Sequence, residues 1–209
     1  MKVANREIPQ KCVKTIKLNK GWYRRKTPCT ILFVLVMIML VNNADLKKEE
    51  LNSFAHKVRA IVFNKDNLLY ITDMNSSFNL PGGRVENTEE LLDSLIRELR
   101  EELGVRIFKK DIKYIGEYTF WHKGFPGEKD SVNRENKVDL FLITKPQEID
   151  IINIKLTNYE KHYNFKLILK KLEEIDDLIK YTGNNPYKRF TDVELHTLIN
   201  AYLEYRKEG

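Results

Sequence analysis

Residues 83–105 read GRVENTEELLDSLIRELREELGV, and the fold is decided by this stretch. Leu92, Leu95, Ile96, Leu99 and Leu103 recur at helical spacing and make one apolar stripe. Asn87 is the expected cap, with Glu90 three residues on completing a box-like start. Gly104 stands where a left-handed C-cap is expected. Glu98, Glu101 and Glu102 fall at i, i+3 and i+4, so their side chains lie on neighbouring parts of one face, away from the centre of the leucine stripe. Like charges at this spacing weaken a helix. A divalent cation removes that cost: Mg²⁺ prefers oxygen ligands, keeps waters in its shell and bridges carboxylates to phosphates. For three glutamates alone, a solvated acidic face is the better reading.

The spacing of the whole segment changes that balance. Five residues separate Gly83 from Glu89, and seven more precede Arg97-Glu98. Aliphatic Leu99, Glu101-Glu102, Gly104 and aliphatic Val105 complete the pattern. The segment resembles the Nudix box, G-x5-E-x7-R-E-U-x-E-E-x-G-U with U aliphatic, at every specified position. The resemblance implies an α+β fold: an α/β/α sandwich around a central mixed β-sheet, with the box as loop–helix–loop. It implies a Mg²⁺-dependent hydrolase (Mn²⁺ able to substitute) that cleaves a phosphoanhydride bond in a nucleoside diphosphate linked to another moiety. Glu98, Glu101 and Glu102 would be metal ligands, and Glu98 a general base in some members. The Gly82 carbonyl would join the metal shell. Arg97 would orient the glutamates, and Glu89 would brace the loop–helix–loop. An acid from outside the box is often recruited, and Glu128 and Glu135 are the candidates, Glu135 the one carried into the metal set. Arg84, Phe120 and Trp121 are the candidate substrate contacts, since an aromatic ring can stack on a base. Burial in a strand is the competing reading for both rings. His122 reads as a surface or structural histidine rather than a catalyst.

Outward from the box, the pattern stays mixed. Val58–Phe63 reads as a strand and Leu68–Thr72 as its hairpin partner across Asn64–Asn67. Ile112–His122, Val138–Thr144 and Phe165–Leu169 are further strand candidates, with a loop from Lys123 to Lys137. Leu172–Lys180 and Asp192–Arg206 are expected helices. Helices flanking a mixed sheet fit this order.

The chain has 209 residues, 42% hydrophobic and 32% charged, which suits one packed domain with an extension. Its net charge of +6 is unevenly spread. Residues 1–29 hold nine Lys or Arg and one acid, leaving the remainder mildly acidic. Both cysteines, Cys12 and Cys29, lie in that segment, without a CxxC or Cys/His cluster for zinc. Ile31–Val41 is an unbroken apolar run, too short for a comfortable membrane span of about 20 residues. It is read as an anchor with membrane contact, a signal-like leader, or the mark of a start at Met37 or Met39. All three readings set residues 1–50 outside the catalytic unit, with 51–209 as the hydrolase domain. Deleting 1–50 is then expected to leave a folded, active protein.

A cytoplasmic enzyme acting on a nucleotide-type small molecule is the leading expectation. Nucleic acid enters only as a capped-RNA substrate, and the oligomeric state stays open. The alternative is a non-catalytic nucleotide-sensing module on the same scaffold, since a fold alone does not establish activity.

Overall fold

The computed structural model describes residues 16–19, 36–42, 44–124, 132–180 and 188–208. Its strands are β1 (Ile16–Asn19), β2 (Val36–Asn42), β3 (Ser53–Ile61), β4 (Leu69–Met74), β5 (Ser77–Asn79), β6 (Ile112–Lys123), β7 (Asn133–Ile143) and β8 (Phe165–Lys170). The helices are α1 (Leu91–Leu103), α2 (Asn158–His162), α3 (Ile175–Lys180) and α4 (Lys188–Glu208). One sheet runs β1-β2-β6-β7-β3 and a second runs β5-β4-β8. The larger sheet is mixed: β6 and β7 pair antiparallel, whereas β2 with β6 and β3 with β7 are parallel.

Two-residue alternation sorts the side chains of β3 and β7 onto opposite faces. Ile61, Val138 and Leu140 join Tyr118, Phe120 and the α4 residues Leu195, Leu198 and Ile199 in one core cluster. Val58, Ala60, Val62, Phe141 and Ile143 face the other way and pack with Leu95, Leu99 and Leu103 of α1. The leucine stripe of the box is therefore what glues α1 to the sheet. Each fully buried leucine contributes about 1.5–3 kcal/mol. The expected sandwich, helices on both faces of a mixed sheet, is the observed one.

Several boundaries differ from expectation, each for a physical reason. The Val58–Phe63 strand begins earlier and its hairpin is brief: Phe63 bridges Leu69 and Tyr70 N–H donates to the Val62 carbonyl, after which β4 departs into the second sheet. Asn87 does not cap α1. Residues 86–89 form a turn closed by Glu89 N–H on the Glu86 carbonyl, and Glu90 takes the cap position without a side-chain bond. Gly104 is the left-handed C-cap, at φ 71°. The Leu172–Lys180 helix splits into a 3-10 turn at Leu172–Glu174 and α3, and the last helix extends to Lys188–Glu208.

The largest difference lies in the amino-terminal segment. Val36–Asn42, most of it within the apolar run, is strand β2, paired with β6 from Met37↔Gly116 to Asn42↔Trp121. Val41 is 8% exposed and packs in the cluster that holds Tyr118 and Phe120. Asn42 then folds the chain back, its Nδ2 donating to the Leu46 carbonyl at 2.8 Å while Leu46 N–H donates to its Oδ1 at 3.0 Å. The boundary drawn at residue 50 therefore does not coincide with an edge of the sheet. An apolar run of this length satisfies a strand buried in a sheet as well as it would a short anchor. Among the described residues no helix is long and apolar enough to cross a membrane.

Candidate active site

The segment Leu80-Pro81-Gly82-Gly83 runs along the free edge of β3. Ala60 N–H donates to the Pro81 carbonyl and Val58 N–H to the Gly83 carbonyl, both at 2.9 Å. Alternation then turns the Leu80 and Gly82 carbonyls away from the strand. Both meet one guanidinium, that of Arg59: its Nη1 donates to Leu80 O at 3.1 Å and also to Gly82 O. Gly82 has φ 125°, and a Cβ there would strike the Val58 carbonyl. A Cβ on Gly83 would run into the Glu98 carboxylate. Gly82 accordingly requires glycine, whereas a side chain at Gly83 would displace the Glu98 carboxylate.

Helix α1 brings the carboxylates to this loop. Leu95 and Leu99, fully buried, fix its rotation. Glu98 and Glu102, one turn apart, are then buried against the glycines, and Glu102 Oε2 accepts from Gly82 N–H at 2.7 Å. Burial raises the Glu98 pKa against the opposing charge of Arg97. Burial also raises Glu102 well above the usual carboxylate range, with Arg59 and the Gly82 N–H opposing it. Glu101 meets the same Arg97 Nη1 as Glu98, at 3.3 Å against 2.8 Å.

Arg97 is the hub of the outer side. It donates to Glu89 through Nε and Nη2, each at 3.0 Å, to Glu98 at 2.8 Å, and to the Arg84 carbonyl at 3.1 Å. Hydrogen bonding to Arg97 holds Glu89 below its ordinary pKa. Loop and helix are thereby tied around one cation.

Among the described residues, no three His, Cys, Asp or Glu side chains gather closely enough to hold a metal ion by themselves. What the structure brings together is smaller: the Glu98 and Glu102 carboxylates and the Gly82 backbone. Two carboxylates and one carbonyl, all oxygen donors, suit Mg²⁺, which leaves the rest of its octahedral shell to water and phosphate. The raised pKa values report an electrostatic deficit that a divalent cation would relieve. The chemistry of the donor set therefore fits the expected metal.

The other candidates lie apart from this centre. Glu135, on β7, accepts from Trp121 Nε1 at 2.8 Å and pairs in register with Phe54. The glycine loop meets β3 at Val58, four residues on, or roughly 13 Å at ~3.3 Å per residue. Phe120 and Trp121 cannot line one pocket, because strand neighbours face opposite ways: Phe120 is 1% exposed in the α4-side core, and Trp121 turns to Glu135. Arg84 is exposed, its Nη2 donating to the Phe54 carbonyl at 3.4 Å. His122 sits between the Lys123 carbonyl at 2.7 Å and Asn136 Nδ2 at 2.9 Å, which suits a neutral ring with the proton on Nδ1. Glu128 lies outside the described residues.

Sequence reasoning missed a second charged group. Glu194 of α4 is 0% exposed, accepts from Arg59 Nε at 3.0 Å and lies 3.7 Å from Lys57 Nζ. Burial opposes its ionisation, but Lys57 and Arg59 outweigh that and hold its pKa below the ordinary value. A signal was available: Arg59 and Glu194 are charges set inside apolar periods, VRAIVF and VELHTLI. A buried charge needs a partner.

A sequence model of the NUDIX domain matches residues 54–189, roughly two thirds of the chain. No curated protein matches the chain by sequence. Among solved structures, the ORF135 protein of E. coli is 16% identical, covering 77% of this chain and 96% of its own at a TM-score of 0.45. A MutT protein from Methanosarcina mazei Go1 is 16% identical over 68% and 94%, with a TM-score of 0.42. A C. elegans Ap4A hydrolase is 12% identical over 76% and 100%, with a TM-score of 0.46. These likenesses are too distant to bear on activity or substrate.

Proposed function

The chain belongs to the Nudix family, hydrolases of pyrophosphate bonds, and on that premise we propose that it uses Mg²⁺ to hydrolyse a phosphoanhydride bond in a nucleoside diphosphate linked to another moiety, with Mn²⁺ able to substitute. The observation that carries this reading is the meeting of Glu98, Glu102 and the Gly82 backbone at the end of a buried leucine stripe.

Bound there, the cation would neutralise diphosphate charge and lower the pKa of a bound water. The protein's own groups do the rest. Glu98 and Glu102 supply negative charge where water is partly excluded. Arg97 fixes Glu98 through Oε1, and both carboxylate oxygens lie against Gly83. A carboxylate whose pKa is raised by burial suits proton acceptance from an attacking water. Water adds to phosphorus, the P–O–P bridge breaks, and two phosphate products and a proton result. Glu101 shares the Arg97 Nη1 with Glu98 and stands beside it as a further candidate ligand.

The test is a turnover screen with Mg²⁺ or Mn²⁺. It covers nucleoside triphosphates, oxidised dGTP, ADP-ribose, dinucleoside polyphosphates, nucleotide sugars and capped RNA. Release of a nucleoside monophosphate, phosphate or pyrophosphate from at least one of them is expected. Silence across the panel, with folded protein and metal present, would overturn the proposal.

A further inference from the structure

Arg59 is buried, 7% exposed, and its guanidinium makes three contacts that belong to different parts of the molecule. Nε is held by Glu194 of α4, and Nη1 is shared between the Leu80 and Gly82 carbonyls. The same positive charge acts on both Glu98 and Glu102. A cation thus already stands at the oxygen and within the field of the two carboxylates that would bind a metal. None of this follows from the box, whose last residue precedes Glu194 by most of the domain.

We propose that Arg59 is a built-in cap on the metal site. Its Nη1 occupies the Gly82 carbonyl, and its charge offsets that of Glu98 and Glu102. Arg59 must release Gly82 O before that oxygen can join a metal shell. Glu194 is the positioning residue: it holds the guanidinium through Nε, and the rigid planar group must tilt as a whole for Nη1 to leave Gly82 O. The cap weakens metal binding by competition for one oxygen and by like-charge repulsion. In return, Arg59 adds to Arg97 and the Gly82 N–H in offsetting the buried charge of Glu98 and Glu102. This inference rests on the reading of Gly82, Glu98 and Glu102 as the metal site.

The experiment is calorimetric titration of Mn²⁺ alone into the full chain, without substrate. Wild type is compared with Arg59→Lys, Arg59→Met and the double variant Arg59→Met/Glu194→Met, each checked for folding by near-UV circular dichroism. The double variant removes the Arg59–Glu194 pair together, which buried pairs tolerate better than loss of one partner, and leaves Lys57 as the remaining cation of the group. Arg59→Met and the double variant should bind Mn²⁺ about tenfold more tightly than wild type, since a charge a few ångströms away is lost. Arg59→Lys keeps the charge but cannot reach both Glu194 and Gly82 O, so it should tighten binding by a smaller factor. Unchanged or weaker binding in the folded double variant would overturn the cap. So would Arg59→Lys binding like wild type, because charge alone would then explain any effect of the methionine. Mn²⁺ binding to none of the proteins would instead remove the metal site itself, and the cap with it.

Discussion

Two arginines flank the same pair of glutamates, and they are built in opposite ways. Arg97 reaches Glu89, Glu98 and Glu101, all within one loop–helix segment, and about a quarter of its side chain is exposed. Arg59 reaches Glu194 across 135 positions of sequence and is buried with it. Near solvent, each of the Arg97 pairs adds little stability on its own, because water already serves the charges well. In the interior the two ions have given up their hydration, so removal of one strands the other. The comparison separates an arginine that arranges a site from one that ties the site to the rest of the fold.

The largest effect expected from that contrast is at Glu194. Glu194→Ala leaves Arg59 and Lys57 without their buried anion and should destabilise the protein by about 3–5 kcal/mol in denaturant unfolding. A loss below about 1 kcal/mol would mean the pair behaves like the surface pairs of Arg97. Next comes deletion of residues 1–50, which uncovers the β6 edge and the core around Val41. A loss of about 1.5–3 kcal/mol follows from exposing one buried aliphatic residue alone. A truncated protein as stable as the full chain would return β2 to the status of an appendage. Arg97→Lys should change stability by no more than about 1 kcal/mol. It should lower kcat, because one ammonium cannot hold Glu89 and Glu98 together. The smallest effect is at His122, whose pKa burial lowers from the ordinary value. The folded state then resists protonation more than the unfolded chain does. Its contribution is complete above the unfolded pKa, about 6.5, and is lost as pH falls from there toward the folded pKa. Between about pH 7.5 and pH 5.5, wild type should lose more melting temperature than His122→Gln. Equal losses would show that the ring titrates as it would in water.

What was legible in the sequence tracks how local each feature is. The box is contiguous, and its leucine stripe fixes which way the glutamates face, so α1 and Gly104 follow from spacing, while the Glu98–Glu102–Gly82 meeting is what the resemblance implies. The strands Ile112–Lys123 and Asn133–Ile143 were readable at their apolar cores but not at their polar ends, where pairing partners extend them. Asn87 was a reasonable cap by residue type, yet the turn at 86–89 moved the helix start to Leu91. Ile31–Val41 was ambiguous because apolar composition does not say whether lipid or a neighbouring strand covers it. Trp121 and Phe120 looked alike in sequence, and only strand alternation separated them. Arg59 with Glu194 depended on α4 packing against β5 and β6, a long-range event that the charges inside apolar periods hint at but do not pair. The outside acid was the least legible feature, since no spacing rule places it.

The central claim is that Glu98 works as a charge at the metal site and not as part of the scaffold. Glu98→Gln keeps the size of the side chain and removes its charge. The measurement is kcat at saturating Mg²⁺ together with melting temperature, with Glu90→Gln as the control on an exposed cap position. The account predicts a fall in kcat of about 10²–10³-fold for Glu98→Gln, as for loss of other charge-stabilising groups. Melting temperature should hold or rise, because a buried carboxylate with a raised pKa is relieved. Glu90→Gln should match wild type in both. Wild-type kcat in Glu98→Gln would contradict the account.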